Sequence, residues 1–375
     1  METSERFTHG AVDATDLAEL VGSAGPFLSL YLNTEGDVEN ASQRSRTRWK
    51  NVRSDLEAPE VSEALLDEVD AIVPDAHLGG ACLAVIGGAE KVLHVEHGPI
   101  VSPNDEAAWG PLPRLLPILR WRQEDPAYAV VLTDRTGADL FGVRRGSPEL
   151  HAEVEGQHDV IRKVGPGGWS QHRYQRRAED SWEQNAEQVA SAVERLVTQV
   201  QPAFVAVAGD VRAVGLLRES LPDDVNELVH VIEGERPWEG KEDPIPDEVH
   251  ELVATHVRGQ ADALLERFRE ERGQRDKAVE GIEATARSLA MAQVAVLLVA
   301  GGATDDGDEL WFGPEPNLLA ESDRDLKELG VDSPERGPAR DVLVRAALGT
   351  GAAVRVLDGP DAVRDGVGAL LRWSA

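Results

Sequence analysis

Residues 165–177 read Gly-Pro-Gly-Gly-Trp-Ser-Gln-His-Arg-Tyr-Gln-Arg-Arg. A glycine-rich loop, free to take backbone conformations closed to other residues, runs straight into a cationic segment. From Ile161 to Ala178 there are five Lys or Arg (Arg162, Lys163, Arg173, Arg176, Arg177), one His (His172) and no Asp or Glu. The chain around this window carries a formal charge of −30. An acidic protein that keeps one segment clear of carboxylates presents it to something anionic. Trp169 and Tyr174 add flat faces suited to stacking on bases.

The rest of the chain sets bounds on that reading. At 375 residues with 41% apolar content it is long enough for two or three domains, each with its own core. Sixty-eight acids face 38 bases, only six of them Lys, so any contact with nucleic acid must be local. Cys82 is the only cysteine; it lies in the apolar run Ala81–Ile86 and reads as a core residue. Met-Glu-Thr-Ser-Glu-Arg at the start is not a signal peptide, and the longest apolar run, Val294–Ala300, is too short to cross a bilayer. A cytoplasmic monomer with no membrane partner and no cofactor or metal is the expectation.

Patterning divides the chain further. Phe27–Leu32 is strand-like, Ala41–Leu56 a basic helix and Val61–Ile72 an acidic amphipathic one. Ala81–Ile86 and Lys91–Val95, split by Gly87-Gly88, predict a hairpin. A stretch with Pro103, Pro111, Pro113, Pro117 and Pro126 predicts a domain boundary. Beyond it, Ala127–Thr133 and Ala138–Val143 are strands joined by the turn Asp134–Gly137. Trp182, Ala186, Val189, Val193, Leu196, Val197 and Val200 then mark one face of a long helix. Phe204–Ala208, Val214–Leu221 and Leu228–Ile232 complete a β-β-α-β-α-β order, which implies a mixed sheet covered by helices. Asp247–Arg272 is a second long helix. The last segment predicts helix Asp276–Met291, strand Ala295–Ala300, helix Pro338–Leu348 and strand Ala353–Leu357.

In this order the chain resembles the bacterial members of the archaeo-eukaryotic class-one release factor and Pelota superfamily, which includes the Vms1/Ankzf1-type peptidyl-tRNA hydrolases. The segment Gly167–Tyr174 is similar to that family's Gly-Gly-Gln-Ser-x-x-Arg-Phe. Gly167, Gly168, Ser170 and Arg173 match, and Tyr174 replaces an aromatic. The resemblance implies an α/β fold of three domains. These are an N-terminal α/β domain of decoding-centre type (1–125), an RNase H-like middle domain with the glycine loop (126–265) and an L7Ae-like α/β/α C-terminal domain (266–375). It implies the ribosome as partner, through rRNA of the A site and peptidyl-transferase centre. It also implies a translational GTPase or ribosomal protein at the C-terminal domain. Gly165, Gly167, Gly168, Trp169, Ser170, His172, Arg173, Tyr174, Arg176 and Arg177 become the candidate rRNA- or tRNA-binding loop. Trp169 stands where the family keeps the Gln that orients the hydrolytic water. Indole offers one N–H donor and no acceptor, so Trp169 cannot do this. Gln171, two residues on, is the candidate replacement. The chain thus reads as an A-site factor without chemistry, in hibernation, stress or rescue, with peptidyl-tRNA hydrolysis through Gln171 as the alternative. Stop-codon-reading motifs are not found.

Other features divide between function and ordinary structure. Arg44, Arg46, Arg48 and Lys50, interleaved with Ser, Thr and Trp49, are either a solvated helix face or an rRNA contact of the N-terminal domain. Asp134 and Asp139 invite a nuclease reading, but turn chemistry explains Asp134 at lower cost. His94 and His97, three apart on a strand, point to opposite faces and cannot share a metal. The loop Asp305–Glu309 lacks calcium-loop spacing, and no phosphate-binding Gly-x-x-x-x-Gly-Lys motif exists.

Overall fold

The computed structural model describes residues 14–34, 40–56, 60–78, 80–98, 104–134, 137–143, 150–155, 171–233, 247–274, 277–301, 307–359 and 362–374. Their contacts divide the chain into two units. One joins both ends, residues 1–124 with 257–375, and the other is residues 125–256. The contacts draw two units where the sequence reading expects three domains, because the two ends share one hydrophobic core.

The first part of the end-joining unit is an antiparallel sheet. Its strands are β1 (Phe27–Asn33), β2 (Cys82–Gly87), β3 (Val92–Gly98) and β4 (Glu106–Gly110), in the order β3-β2-β1-β4. β1 and β2 are buried along their whole length, which is why both read as unbroken apolar runs. Successive residues of β1 serve opposite faces. Leu28, Leu30 and Leu32 pack with Trp49 of helix α2 (Ala41–Asp55) and with Leu65 and Val69 of α3 (Glu63–Ile72). Phe27 and Tyr31 join the core shared with the C-terminal segment, together with Leu17 of α1 (Thr15–Val21) and Ile118 and Leu119 of α4 (Leu116–Glu124). Ser62 caps α3 by accepting from the Leu65 N–H. β4 and α4 lie in the proline-bearing stretch read as a boundary. Pro117 falls in the first turn of α4, where its missing N–H loses no intrahelical bond.

The second unit is a mixed sheet in the order β7-β6-β5-β8-β9. β5 (Tyr128–Thr133), β6 (Gly137–Val143) and β7 (Leu150–Glu155) run antiparallel in succession. β8 (Val205–Gly209) and β9 (Val229–Val231) lie parallel to β5 and to each other. β7 is absent from the sequence reading, since Leu-His-Ala-Glu-Val-Glu carries no apolar run and its His151 and Ala152 are exposed at the sheet edge. One face packs against α5 (Gln171–Val200), α6 (Val211–Ser220) and α7 (Asp223–Asn226), through residues such as Val131, Leu140, Val193, Val207 and Leu217. The other face, with Val130, Leu132, Phe204 and Ala206, takes Val249 of α8 (Asp247–Gln274).

Helix α8 serves both units. Val249, Leu252 and Val253 belong to the core of the second, while Leu264 and Phe268 pack with Val296, Leu298 and Leu370 of the first. The division falls between His256 and Val257, inside this helix, where the sequence reading expects a boundary after residue 265. A continuous amphipathic helix carries no local mark of which core each turn enters.

The C-terminal part has a main sheet, β10-β16-β11-β15, and a small one, β13-β12-β14. The strands are β10 (Ala278–Glu280), β11 (Val294–Ala300), β12 (Glu309–Phe312), β13 (Leu319–Ala320), β14 (Glu335–Pro338), β15 (Ala353–Leu357) and β16 (Val367–Leu371). Helices α9 (Ile282–Ala290), α10 (Asp323–Glu328) and α11 (Ala339–Gly349) connect them. Where the sequence predicts one helix over Asp276–Met291, the chain forms β10, turns at Gly281 and begins α9. Gly281 has φ +92°, which other residues rarely adopt, and its N–H reaches the Val367 carbonyl at 2.9 Å. Gln123 of α4 lies along the open edge of β15. Its Nε2 donates to the Val356 carbonyl at 2.6 Å and its Oε1 accepts from the Val356 N–H at 2.9 Å. One carboxamide thus supplies a bonding pair that a further strand would otherwise give.

Candidate nucleic-acid interface

The carboxyl ends of β5, β7 and β8 lie at one end of the second unit's sheet, because β6 alternates direction between β5 and β7 and β8 is parallel to β5. The crossing there is tight. Gly209 closes β8 at φ +138°, and a Cβ on it would sit 1.7 Å from the Thr133 carbonyl oxygen. Asp210 follows and caps α6, its carboxylate accepting from the Arg212 and Ala213 N–H groups at 3.0 and 3.2 Å. The Asp134 carboxylate accepts from the Gly137 N–H at 3.0 Å and closes the turn between β5 and β6. Asp139, on β6, lies 3.7 Å from the exposed His151 ring. Asp134 and Asp139, the carboxylates that suggest a nuclease, therefore serve as turn and cross-strand partners. Beside them a narrow cleft, with room for about one water molecule, is lined by Thr133, Asp134, Asn185, Ala213 and Leu216.

Gly165, Gly167, Gly168, Trp169 and Ser170 lie outside the described residues. Helix α5 begins at Gln171, eleven residues ahead of Trp182, the first residue of its apolar repeat, and has no acid in its first turn. Gln171, His172, Arg173, Tyr174, Arg176 and Arg177 thus occupy its first two turns, with Arg173 and Arg177 one turn apart. Among the described side chains of the helix, Asn185, Ala186, Val189, Val193, Leu196 and Val200 are buried. The stretch 171–184 adds roughly 20 Å of helix ahead of this anchored part. The helix dipole places partial positive charge at the end where the basic residues cluster.

In the other unit the second basic group resolves differently from the sequence picture. Arg44, Arg46, Arg48 and Lys50 all lie on α2, but not on one face. Arg48 is engaged by Asp105 at 2.8 Å, and that carboxylate also accepts from the Asn33 N–H. Arg53 pairs with Asp70 at 3.0 Å, whose other oxygen accepts from the buried Trp49 indole. Arg44, Arg46 and Lys50 are exposed and have no ion pair among the described residues.

One site outside both basic groups is visible only in three dimensions. The Arg122 side chain is 1% exposed and lies between Asp16 and Glu96. It donates to the Asp16 carboxylate through Nη1 at 2.6 Å and Nη2 at 2.5 Å, and to Glu96 through Nε and Nη2. Burial acts to lower the Arg122 pKa, but the hydrogen bonds from Asp16 and Glu96 outweigh it and hold the group above the usual arginine range. His94 shares the strand face of Glu96 and contacts it at 3.0 Å. Asp16, His94 and Glu96 have the spacing of a metal set, yet the guanidinium already supplies the positive charge that their carboxylates require. Sequence reading missed this knot, since Arg122 reaches Asp16 across 106 positions and Glu96 across 26.

Residues 127–274 match the family described as Bacterial archaeo-eukaryotic release factor family 2. Over these residues the chain is similar to the bacterial archaeo-eukaryotic release-factor proteins. The match covers the sheet of the second unit, the glycine-rich sequence before α5, and α8 to its last residue. Two uncharacterized proteins of Mycobacterium tuberculosis strains, Rv2629 and MT2704, are each 28% identical over 365 residues, covering 95% of this chain and 96% of theirs. Among solved structures, the archaeal translation termination factor aRF1 aligns over 95% of this chain and 96% of its own, with 15% identity and a TM-score of 0.26. A ribosome-bound archaeal Pelota, in a structure with ABCE1, aligns over 97% and 96%, with 11% identity and a TM-score of 0.37.

Proposed function

We propose that this release-factor-like protein binds the ribosomal A site and holds it without hydrolysing peptidyl-tRNA, in hibernation, stress protection or rescue. The observation that carries the reading is the family match over residues 127–274 combined with Trp169 at the position of the catalytic Gln. The binding half of the apparatus is present. A glycine loop feeds a helix whose first turns hold Arg173, Arg176 and Arg177, a group able to neutralise phosphates. The chemical half is not, because an indole cannot accept a hydrogen bond from an attacking water.

Co-sedimentation with 70S ribosomes across a salt series tests this. Loss of three phosphate contacts in Arg173→Gln/Arg176→Gln/Arg177→Gln should flatten the slope of log affinity against log salt by about 2–3. Absence of binding by the wild-type protein at low salt defeats the proposal. So does an unchanged slope.

One observation favours a second reading. Gln171 is the glutamine nearest in sequence to Trp169, and it lies in the first described turn of α5. There it would hold a water for ester hydrolysis. Release of labelled peptide from stalled complexes, abolished by Gln171→Ala, would establish it. Equal release by that variant would remove Gln171 from the role.

A further inference from the structure

The solvent-facing half of α2 is organised like a helix made to lie in a groove. Placing successive residues about 100° apart, the buried positions Ala41, Ser45 and Trp49 define the inner side. Arg44 and Arg46 then fall about 160° apart, at the two margins of the outer half, with Lys50 beside Arg46. Between them lie Gln43, Thr47, Asn51 and Ser54, all exposed and all able to hydrogen-bond. No carboxylate occurs on the helix before Asp55.

Each margin has the same construction. Next to Arg44, Arg48 is tied to Asp105; next to Arg46, Arg53 is tied to Asp70. The inner arginine of each pair is spent on the protein's own carboxylate, and Trp49 donates to Asp70 between the two. These ties fix the rotation of the helix about its axis. The outer cations, Arg44 on one side and Arg46 with Lys50 on the other, have no ion pair among the described residues.

We infer that this half of α2 binds a double-stranded RNA segment, with Arg44 on the phosphates of one strand and Arg46 and Lys50 on those of the other. Cations on both margins and polar groups between them complement the two phosphate rows that flank the wide, shallow minor groove of an A-form duplex. An anionic membrane is disfavoured, since a helix lying on lipid needs apolar side chains beside its bases. Here the apolar side of α2 is already in the core. The choice of RNA rather than DNA rests on the proposed ribosomal role; the phosphate-binding geometry does not.

The test uses the full chain, wild type and Arg44→Gln/Arg46→Gln/Lys50→Gln. Binding is measured to 70S ribosomes, an RNA stem-loop, a DNA duplex of the same sequence, and phosphatidylserine–phosphatidylcholine vesicles. Three lost phosphate contacts should cut the affinity change between 50 and 200 mM salt by about 10- to 50-fold for the RNA stem and the ribosome. Arg48→Gln should leave that salt dependence unchanged, because Arg48 is committed to Asp105. An unchanged slope in the triple variant overturns the inference, as does an effect seen with vesicles instead of RNA. An effect as large on the DNA duplex as on the RNA stem overturns the assignment to RNA. If neither protein pellets with ribosomes but the variant still loses RNA-stem binding, the ribosomal role falls and this inference stands.

Discussion

Replacing Arg122 by Met probes the buried charge knot of the end-joining unit. Met keeps most of the volume and introduces no new polar group. What it removes is unequal on the two sides. Glu96 has an 8% exposed side chain and would lose its guanidinium while keeping the His94 contact, whereas Asp16, at 51%, would regain water. Breaking a buried pair from one side costs about 3–5 kcal/mol, and an exposed pair contributes about 1 kcal/mol or less. Arg122→Met should therefore lower stability by about 3–5 kcal/mol, and Asp16→Asn by about 1 kcal/mol or less. At 2–4 °C per kcal/mol for a unit of this size, the first corresponds to a fall in Tm of roughly 6–20 °C. Trp121 is buried beside this site, so urea unfolding followed by tryptophan fluorescence reads it directly. Adding Glu96→Gln to Arg122→Met should recover part of the loss, since it deletes the stranded charge. The reasoning is refuted if Arg122→Met costs less than about 1 kcal/mol, if Asp16→Asn costs as much, or if the double variant recovers nothing.

Gly209→Ala should destabilise the second unit by about 3 kcal/mol or more, because φ of +138° and the Thr133 carbonyl leave no place for a methyl group; an unchanged urea midpoint would contradict this. Gln123→Ala should expose the Val356 amide to solvent hydrogen exchange and cost about 2 kcal/mol through two unpaired backbone groups; unaltered protection of that amide would count against the edge-pairing role. Burial, followed by the charges of Asp341 and Glu106, raises the pKa of Tyr31 well above its ordinary value of 10.0. Because the folded-state value lies above the unfolded one, the stabilisation is complete below pH 10 and is lost as pH rises beyond it. Tyr31→Phe should flatten that alkaline loss in a pH series of melts. Burial lowers the pKa of His97, so its contribution is present above the ordinary value of 6.5 and declines as pH falls below it. His97→Gln should reduce that acid-side slope, and an unchanged slope would exclude the residue.

The long helix α5 was legible because its signal is local. Gly167-Gly168 and the acid-free window are compositional, and the spacing of Val189, Val193, Leu196 and Val200 is the helical period. The same period missed the first eleven residues of α5, where polar residues carry no apolar mark. β7 escaped for the same reason, and Gly281 hid a strand–helix break inside what reads as continuous helix.

By itself the sequence determined the strands of the second unit apart from β7, its long helices, the acid-free basic window, and Trp169 at the place where the resemblance expects a Gln. It also determined the family resemblance that residues 127–274 carry. Only the tertiary structure decided that the two ends of the chain share one core and that α8 divides between two units. It alone decided that Arg48 and Arg53 are spent on Asp105 and Asp70 while Arg44, Arg46 and Lys50 face solvent. The reason is physical. Propensity and periodicity are set by neighbours a few residues away. The partner of a buried charge or of an open strand edge is set by packing: Gln123 meets Val356 across 233 residues, and nothing near either one in the chain announces the other.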